Sequence, residues 1–115
     1  MKMKSTDVAT GVENPAGVIR KTLAFNDEAM LCHFDLKKDS RIPLHNHRAT
    51  QIGYVIRGNV RFLADSPDDE FEVRTGDSYV FSAFVKHGAE ILEDSEFVEV
   101  FVPVRDEYRD DSASN

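Results

Sequence analysis

The chain has 115 residues, 14 Lys and Arg against 21 Asp and Glu for a net charge of −7, 41% hydrophobic residues and one cysteine. That length supports one core without disulfide or metal staples and leaves no room for a second domain. The acidic balance repels phosphate backbones, and no basic run extends beyond Lys37-Lys38 and the first few residues, so nucleic acid is not an expected partner.

The longest nearly apolar stretches, Ile52 to Ile56 and Tyr79 to Val85, fall far short of the roughly 20 residues that a membrane helix requires. No leader-like pattern opens the chain, so a cytoplasmic protein without membrane association is expected. Cys32 has no partner for an intrachain bridge and sits in an apolar stretch, where a thiol behaves as a small buried hydrophobe.

Residues 1–17 mix small, polar and turn-forming types and read as a flexible N-terminal arm. Strands are then expected at about 18–25, 29–36, 42–47, 50–56, 59–64, 70–74, 78–82, 87–92 and 97–102. Turn signals separate them at Asn26-Asp27, Lys38-Asp39-Ser40, Gly58-Asn59, Ser66-Pro67-Asp68-Asp69, Thr75-Gly76-Asp77 and Glu93-Asp94-Ser95. No segment keeps a helical period over ten residues, so residues 18–105 are expected to form one all-β sandwich or barrel. Residues 106–115 read as an acidic flexible tail.

Chemistry concentrates in Pro43-Leu44-His45-Asn46-His47-Arg48-Ala49-Thr50-Gln51. Strand alternation puts His45, His47 and Gln51 on one face, provided no bulge intervenes. Ala49 and Gly53 share that parity and leave space beside the ligands for a substrate or water. The opposite parity carries Ile52, Tyr54 and Ile56, an apolar face to be covered by another strand or by a second subunit of a homodimer. A third histidine, His87, follows the Gly76-Asp77 turn. His33 lies outside these segments and is expected to be a hydrogen-bonded strand histidine.

The segments around these residues resemble the two motifs of the cupin superfamily, G-x5-H-x-H-x3,4-E-x6-G and G-x5-P-x-G-x2-H-x3-N, over about residues 18–102. His45, His47 and Gly58 stand at the family spacing, with Gln51 where the family usually has Glu. Gly76 and His87 keep the second motif, in which Ser82, Phe84 and Ile91 replace Pro, Gly and Asn. The resemblance implies a single-domain jelly-roll barrel, the double-stranded β-helix, with His45, His47, Gln51 and His87 as ligands of a divalent transition metal such as Zn, Ni, Fe, Mn or Cu. Gln in place of Glu leaves the full metal charge uncancelled, which favours Lewis-acid chemistry and anion binding.

The last strand carries Phe97, Glu99 and Phe101 on one face and valines on the other, so Glu99 is a carboxylate sent inward, with Arg105 at the same parity beyond Pro103. Together with H-x-H-x3-Q this resembles the small cupins of pectin and alginate breakdown that linearise 4,5-unsaturated monouronates, with Glu99 standing for the group's Asp. The resemblance implies Glu99, Phe101 and Arg105 as catalytic residues and an anionic sugar acid as the small-molecule substrate. A small-molecule cupin dioxygenase and a non-catalytic cupin that binds a sugar or a metal are the competing expectations.

Overall fold

Short runs of alternating apolar and polar residues bounded by turn formers leave strands as the means of satisfying the backbone while burying one face. The structure is a computed structural model and describes residues 3–109. It contains β1 (Gly11–Glu13), β2 (Val18–Phe25), β3 (Met30–Leu36), β4 (Arg41–His45), β5 (Thr50–Leu63), β6 (Phe71–Arg74), β7 (Ser78–Phe81) and β8 (His87–Val102). Two short 3-10 turns, Pro67–Asp69 and Asp106–Tyr108, complete the elements, and no α-helix occurs among the described residues.

All pairings are antiparallel in the order β1-β2-β3-β8-β5-β6, with β4 added to β8 and β7 to β5. β5 and β8 pair from Thr50↔Val102 to Leu63↔Gly88. On its other edge β8 gives Ser95 to Phe101 to β3 and His87 to Glu90 to β4, while β5 gives Gln51 to Tyr54 to β7 and Asn59 to Phe62 to β6. Each long strand thus passes from one half-sheet to the other, which folds a single sheet into the expected jelly roll around a shared core. Phe62, Tyr79, Phe81 and Phe97 cluster in that core with ring centroids 4.5 to 6.3 Å apart. Cys32 is fully buried in the same core, as its surroundings in the sequence require.

Two expected turns are absent. Gly58-Asn59 and Glu93-Asp94-Ser95 bend β5 and β8 without reversing them, so the four strands expected at 50–56, 59–64, 87–92 and 97–102 are two. The register slips between Val55 and Val60, where Gly58 adopts φ 118° and packs its bare Cα against Ser95. Ser95 is itself buried; its Oγ donates to Glu93 O at 2.8 Å and accepts from Asn59 N at 3.1 Å, so each bend locks the other.

Two segments expected outside the barrel pack on it. β1 pairs with β2 from Gly11↔Lys21 to Glu13↔Ile19, Lys21 Nζ donates to Thr6 O at 2.9 Å, and Ala9 is buried. At the other end Tyr108 O accepts from Thr22 Oγ1 at 2.8 Å, docking the 3-10 turn onto β2. In both places hydrogen bonds to main-chain groups hold a segment whose composition reads as unstructured. Residues 1–2 of the expected arm and 110–115 of the expected tail lie outside the described residues. Ile52, Tyr54 and Ile56 are 51%, 49% and 39% exposed, and no described strand covers them.

A side chain at residue 58 would meet Ser95 Cα at 2.6 Å in a backbone conformation that L residues rarely adopt. Gly58→Ala is expected to cost about 2 to 3 kcal/mol, read as a lower urea midpoint at unchanged m-value.

Candidate functional site

His45 ends β4, His87 begins β8, and the two are cross-strand partners with ring centroids 4.5 Å apart. His47 is not on a strand. The chain leaves β4 after His45, and His47 turns back toward the other two, its ring 5.6 Å from His45 and 5.0 Å from His87. The three come together, but a loop and not strand parity accounts for His47. That loop is held by Phe84 N, which donates to His47 O at 2.8 Å from a left-handed backbone with φ 65°. Phe84 therefore keeps the conformation for which the motif's usual glycine is suited, at a cost of roughly 1 to 2 kcal/mol.

The hydrogen bonds fix the chemistry of the four candidate ligands. His45 Nδ1 lies 2.9 Å from Pro43 O, His47 Nδ1 2.8 Å from Ala49 O, and His87 Nδ1 2.9 Å from Val85 O. A carbonyl oxygen only accepts, so every Nδ1 carries a hydrogen and every neutral ring presents a lone pair at Nε2. Gln51 Oε1, also a lone-pair atom, lies 3.1 Å from His47 Nε2 and 3.2 Å from His87 Nε2. Gln51 is turned that way because its Nε2 donates to Glu99 Oε2 at 2.6 Å. Acceptors facing acceptors at these distances repel unless a cation lies among them, so the donor set fits a divalent metal with mixed imidazole and amide ligation. The three imidazoles bring one ring nitrogen each to within 4.8 Å of one another, close enough to share an ion.

Burial lowers the His87 imidazole to about 4, and burial followed by the Arg105 charge lowers His47, which keeps both rings neutral near pH 7. Phe81 stacks on His87 at 4.3 Å with planes 4° apart, setting the ring's orientation.

Glu99 is buried and lines the same internal cavity as His45, Gln51, His87, Phe101 and Arg105. Burial pushes its carboxyl above the usual carboxylate range, opposed by hydrogen bonds from Tyr79 and Gln51 and by the Arg105 charge. Phe101 stands between the two groups of residues, its ring edge-on to His47 at 5.9 Å and 5.2 Å from the Arg105 guanidinium carbon. Arg105 follows the strand that ends at Val102, donates from Nη1 to the Tyr108 hydroxyl at 2.8 Å, and stacks on that ring at 4.2 Å.

Tyr79 joins the site without any motif to announce it. Its hydroxyl donates to Glu99 Oε2, reaching across Gly53, which pairs with Tyr79 on one side and Glu99 on the other. The space expected at Gly53 for a substrate is therefore filled: a Cβ there would overlap the Tyr79 hydroxyl. The signal available in the sequence is a glycine inside a strand, a mark of close approach by another group. His33 Nε2 shares a hydrogen bond with Glu96 at 2.7 Å, while its buried Nδ1 has no hydrogen-bond partner, so the expected hydrogen-bonded histidine is satisfied at one nitrogen only.

Residues 32–103 match the family described as Cupin domain. Among solved structures, the chain is similar to an RmlC-like cupin from Shewanella frigidimarina, with TM-score 0.82, 24% identity, and coverage of 94% of this chain and 99% of that one. It is equally similar to KdgF from Halomonas sp., with TM-score 0.82, 26% identity, and coverage of 92% and 98%. An oxalate decarboxylase from Lactobacillus farciminis, in complex with formate, matches with TM-score 0.77 and 23% identity over 91% of this chain and 34% of that one. No curated protein matches the chain by sequence.

Two outcomes test this geometry. The unfolded chain protonates its histidines near 6.5, whereas folded His87 resists protonation until about 4. Between those values the unfolded state binds more protons, so the stability of metal-free protein is expected to fall as pH drops from 6.5 to 4, by on the order of 3 kcal/mol from this group. Urea unfolding of chelator-treated protein at several pH values checks it, and the slope is expected to flatten in His87→Gln. Glu99→Gln, which lets residue 99 donate and so permits the Gln51 amide to flip, is expected to weaken metal binding about 10- to 100-fold by titration calorimetry.

Proposed function

The chain belongs to the cupin domain family, and on that footing we propose that it is a metal-dependent enzyme that opens 4,5-unsaturated monouronates to 5-keto acids in pectin or alginate catabolism. The observation that carries this reading is the placement of Glu99 and Arg105 in one cavity with His45, Gln51 and His87. Support comes also from the likeness to KdgF over nearly the whole of both chains. The oxalate decarboxylase match, at 23% identity, speaks for the fold alone.

The substrate is a cyclic hemiacetal whose ring oxygen belongs to an enol ether conjugated to a carboxylate. Opening it removes a proton from the anomeric hydroxyl as the bond from the anomeric carbon to the ring oxygen breaks. Delivery of a proton to C4 then converts the enol to the 5-keto acid, so the reaction is a net isomerisation. Glu99 Oε2 is engaged by Tyr79 and Gln51, which leaves Oε1 to take the first proton and return it to C4. Arg105 pairs with the substrate carboxylate through its planar fork. Phe101 walls the sugar ring and keeps water from the reacting atoms. A divalent metal held by His45, His47, Gln51 and His87 would supply a Lewis acid toward the carboxylate and the neighbouring ring oxygen. An uncancelled metal charge together with Arg105 makes a local cation inside an acidic protein, which suits an anionic sugar acid.

Mixing metal-loaded protein with 4,5-unsaturated galacturonate is expected to abolish the ultraviolet absorbance of the conjugated enol ether faster than the spontaneous rate, and a chelator is expected to remove the acceleration. No acceleration would remove this reading while leaving the fold in place. At saturating metal, Glu99→Ala is expected to lower kcat by at least about 100-fold; retained binding with no turnover in the wild type would instead favour a binding protein.

A further inference from the structure

The sequence beyond Arg105 reads as a tail, yet Tyr108 is seated in the wall of the cavity that holds Glu99 and Gln51. Its backbone N donates to Arg105 O at 3.0 Å within the 3-10 turn, and its carbonyl accepts from Thr22 Oγ1. Two guanidinium groups lie over the ring, the Arg20 carbon at 4.0 Å and the Arg105 carbon at 4.2 Å from its centroid, and it meets Phe101 edge-on at 5.6 Å. Two cation-π contacts and the anchored carbonyl leave the ring little freedom.

The hydroxyl is the informative atom. Arg105 Nη1 donates to it, and a guanidinium accepts nothing, so the phenol's own hydrogen is not used in that bond. Among the described residues no acceptor for it is found. Burial raises the Tyr108 pKa, which keeps the hydrogen in place. Beside it, Arg105 Nε is buried without a hydrogen-bond partner, the Glu107 carboxylate lying 3.4 Å away outside hydrogen-bond geometry. A buried donor without an acceptor is costly unless a ligand supplies the lone pair, and the phenol hydrogen lies next to it.

We propose that Tyr108 donates its hydroxyl hydrogen to the substrate carboxylate that Arg105 pairs with, so that residues 105 and 108 form a two-residue carboxylate clamp. Arg105 contributes the charge, and by donating to the phenol oxygen it also makes the phenol a stronger donor. The clamp selects a sugar acid over a neutral sugar of the same shape, because a hydroxymethyl in its place offers one uncharged oxygen where the carboxylate offers two charged ones to the guanidinium and the phenol. The inference rests on the proposed uronate reaction, whose failure would be seen separately in the wild-type protein.

Tyr108→Phe keeps the stacked ring but takes from Arg105 Nη1 its acceptor, so the variant is expected to melt slightly lower and to bind metal as the wild type does. With 4,5-unsaturated galacturonate its KM is expected to rise about 10-fold or more with kcat changed little, the signature of a contact made equally in ground and transition states. The inhibition constant of saturated galacturonate is expected to rise by the same factor. A purely structural role would lower the melting temperature but leave both KM and the inhibition constant unmoved. An active wild type with the same KM in Tyr108→Phe overturns the clamp and spares the proposed reaction, whereas a wild type without turnover overturns both.

Discussion

The pairing of β5 with β8 is the interaction on which the rest of the molecule depends. It runs from Thr50↔Val102 to Leu63↔Gly88 and bends where Gly58 meets Ser95. Because both strands bend together, each can serve two half-sheets, and their ends meet over the same interior. Gln51 enters that interior from the start of β5, His87 from the start of β8, and Glu99 and Phe101 from its end. Residues up to 50 positions apart are thereby brought to one cavity by a single ladder.

Within that cavity the arrangement is governed by which atoms can donate. Three main-chain carbonyls hold the hydrogens of the imidazoles at Nδ1, and a carboxylate holds the Gln51 amide nitrogen. The inward-facing set is left with lone pairs alone, which a neutral interior does not tolerate and a metal ion satisfies. Elsewhere in the same cavity the balance is reversed. Arg105 Nε is buried without a hydrogen-bond partner, and the Tyr108 hydroxyl accepts from Arg105 Nη1. Lone pairs on one side and a guanidinium on the other, with Glu99 and Phe101 between, make the site polarised, which is the basis of the proposed anionic substrate.

Several of these residues are legible in the sequence because their chemistry is local. The alternation that puts Glu99 among inward-facing aromatic residues points by itself to a buried carboxylate, and the set His45, His47, Gln51 and His87 is legible through the resemblance of its two segments to the cupin motifs. Tyr79 and Tyr108 are not legible in this way. Tyr79 reaches Glu99 only because Gly53 lies between them in the neighbouring strand, and Tyr108 reaches Arg105 only because the chain turns back after β8. Neither relation leaves a periodic trace in the sequence. The two bends at Gly58 and Ser95 read as turns for a related reason, since turn formers permit a reversal and a bend equally, and the long-range partner decides between them.

Composition and alternation alone thus determined an all-β chain with a carboxylate facing inward on its last strand, whereas the jelly-roll topology and the set His45, His47, Gln51 and His87 follow from the resemblance of two segments to the cupin motifs. Alternation follows from side-chain period, which is a property of a segment by itself. Tertiary structure alone decided the continuity of β5 and β8, the loop that returns His47 to the cluster, the amide orientation of Gln51 and the place of Tyr108 in the cavity wall. Each of these depends on a hydrogen-bond partner distant in the chain, and a sequence does not state which of its many donors and acceptors will meet.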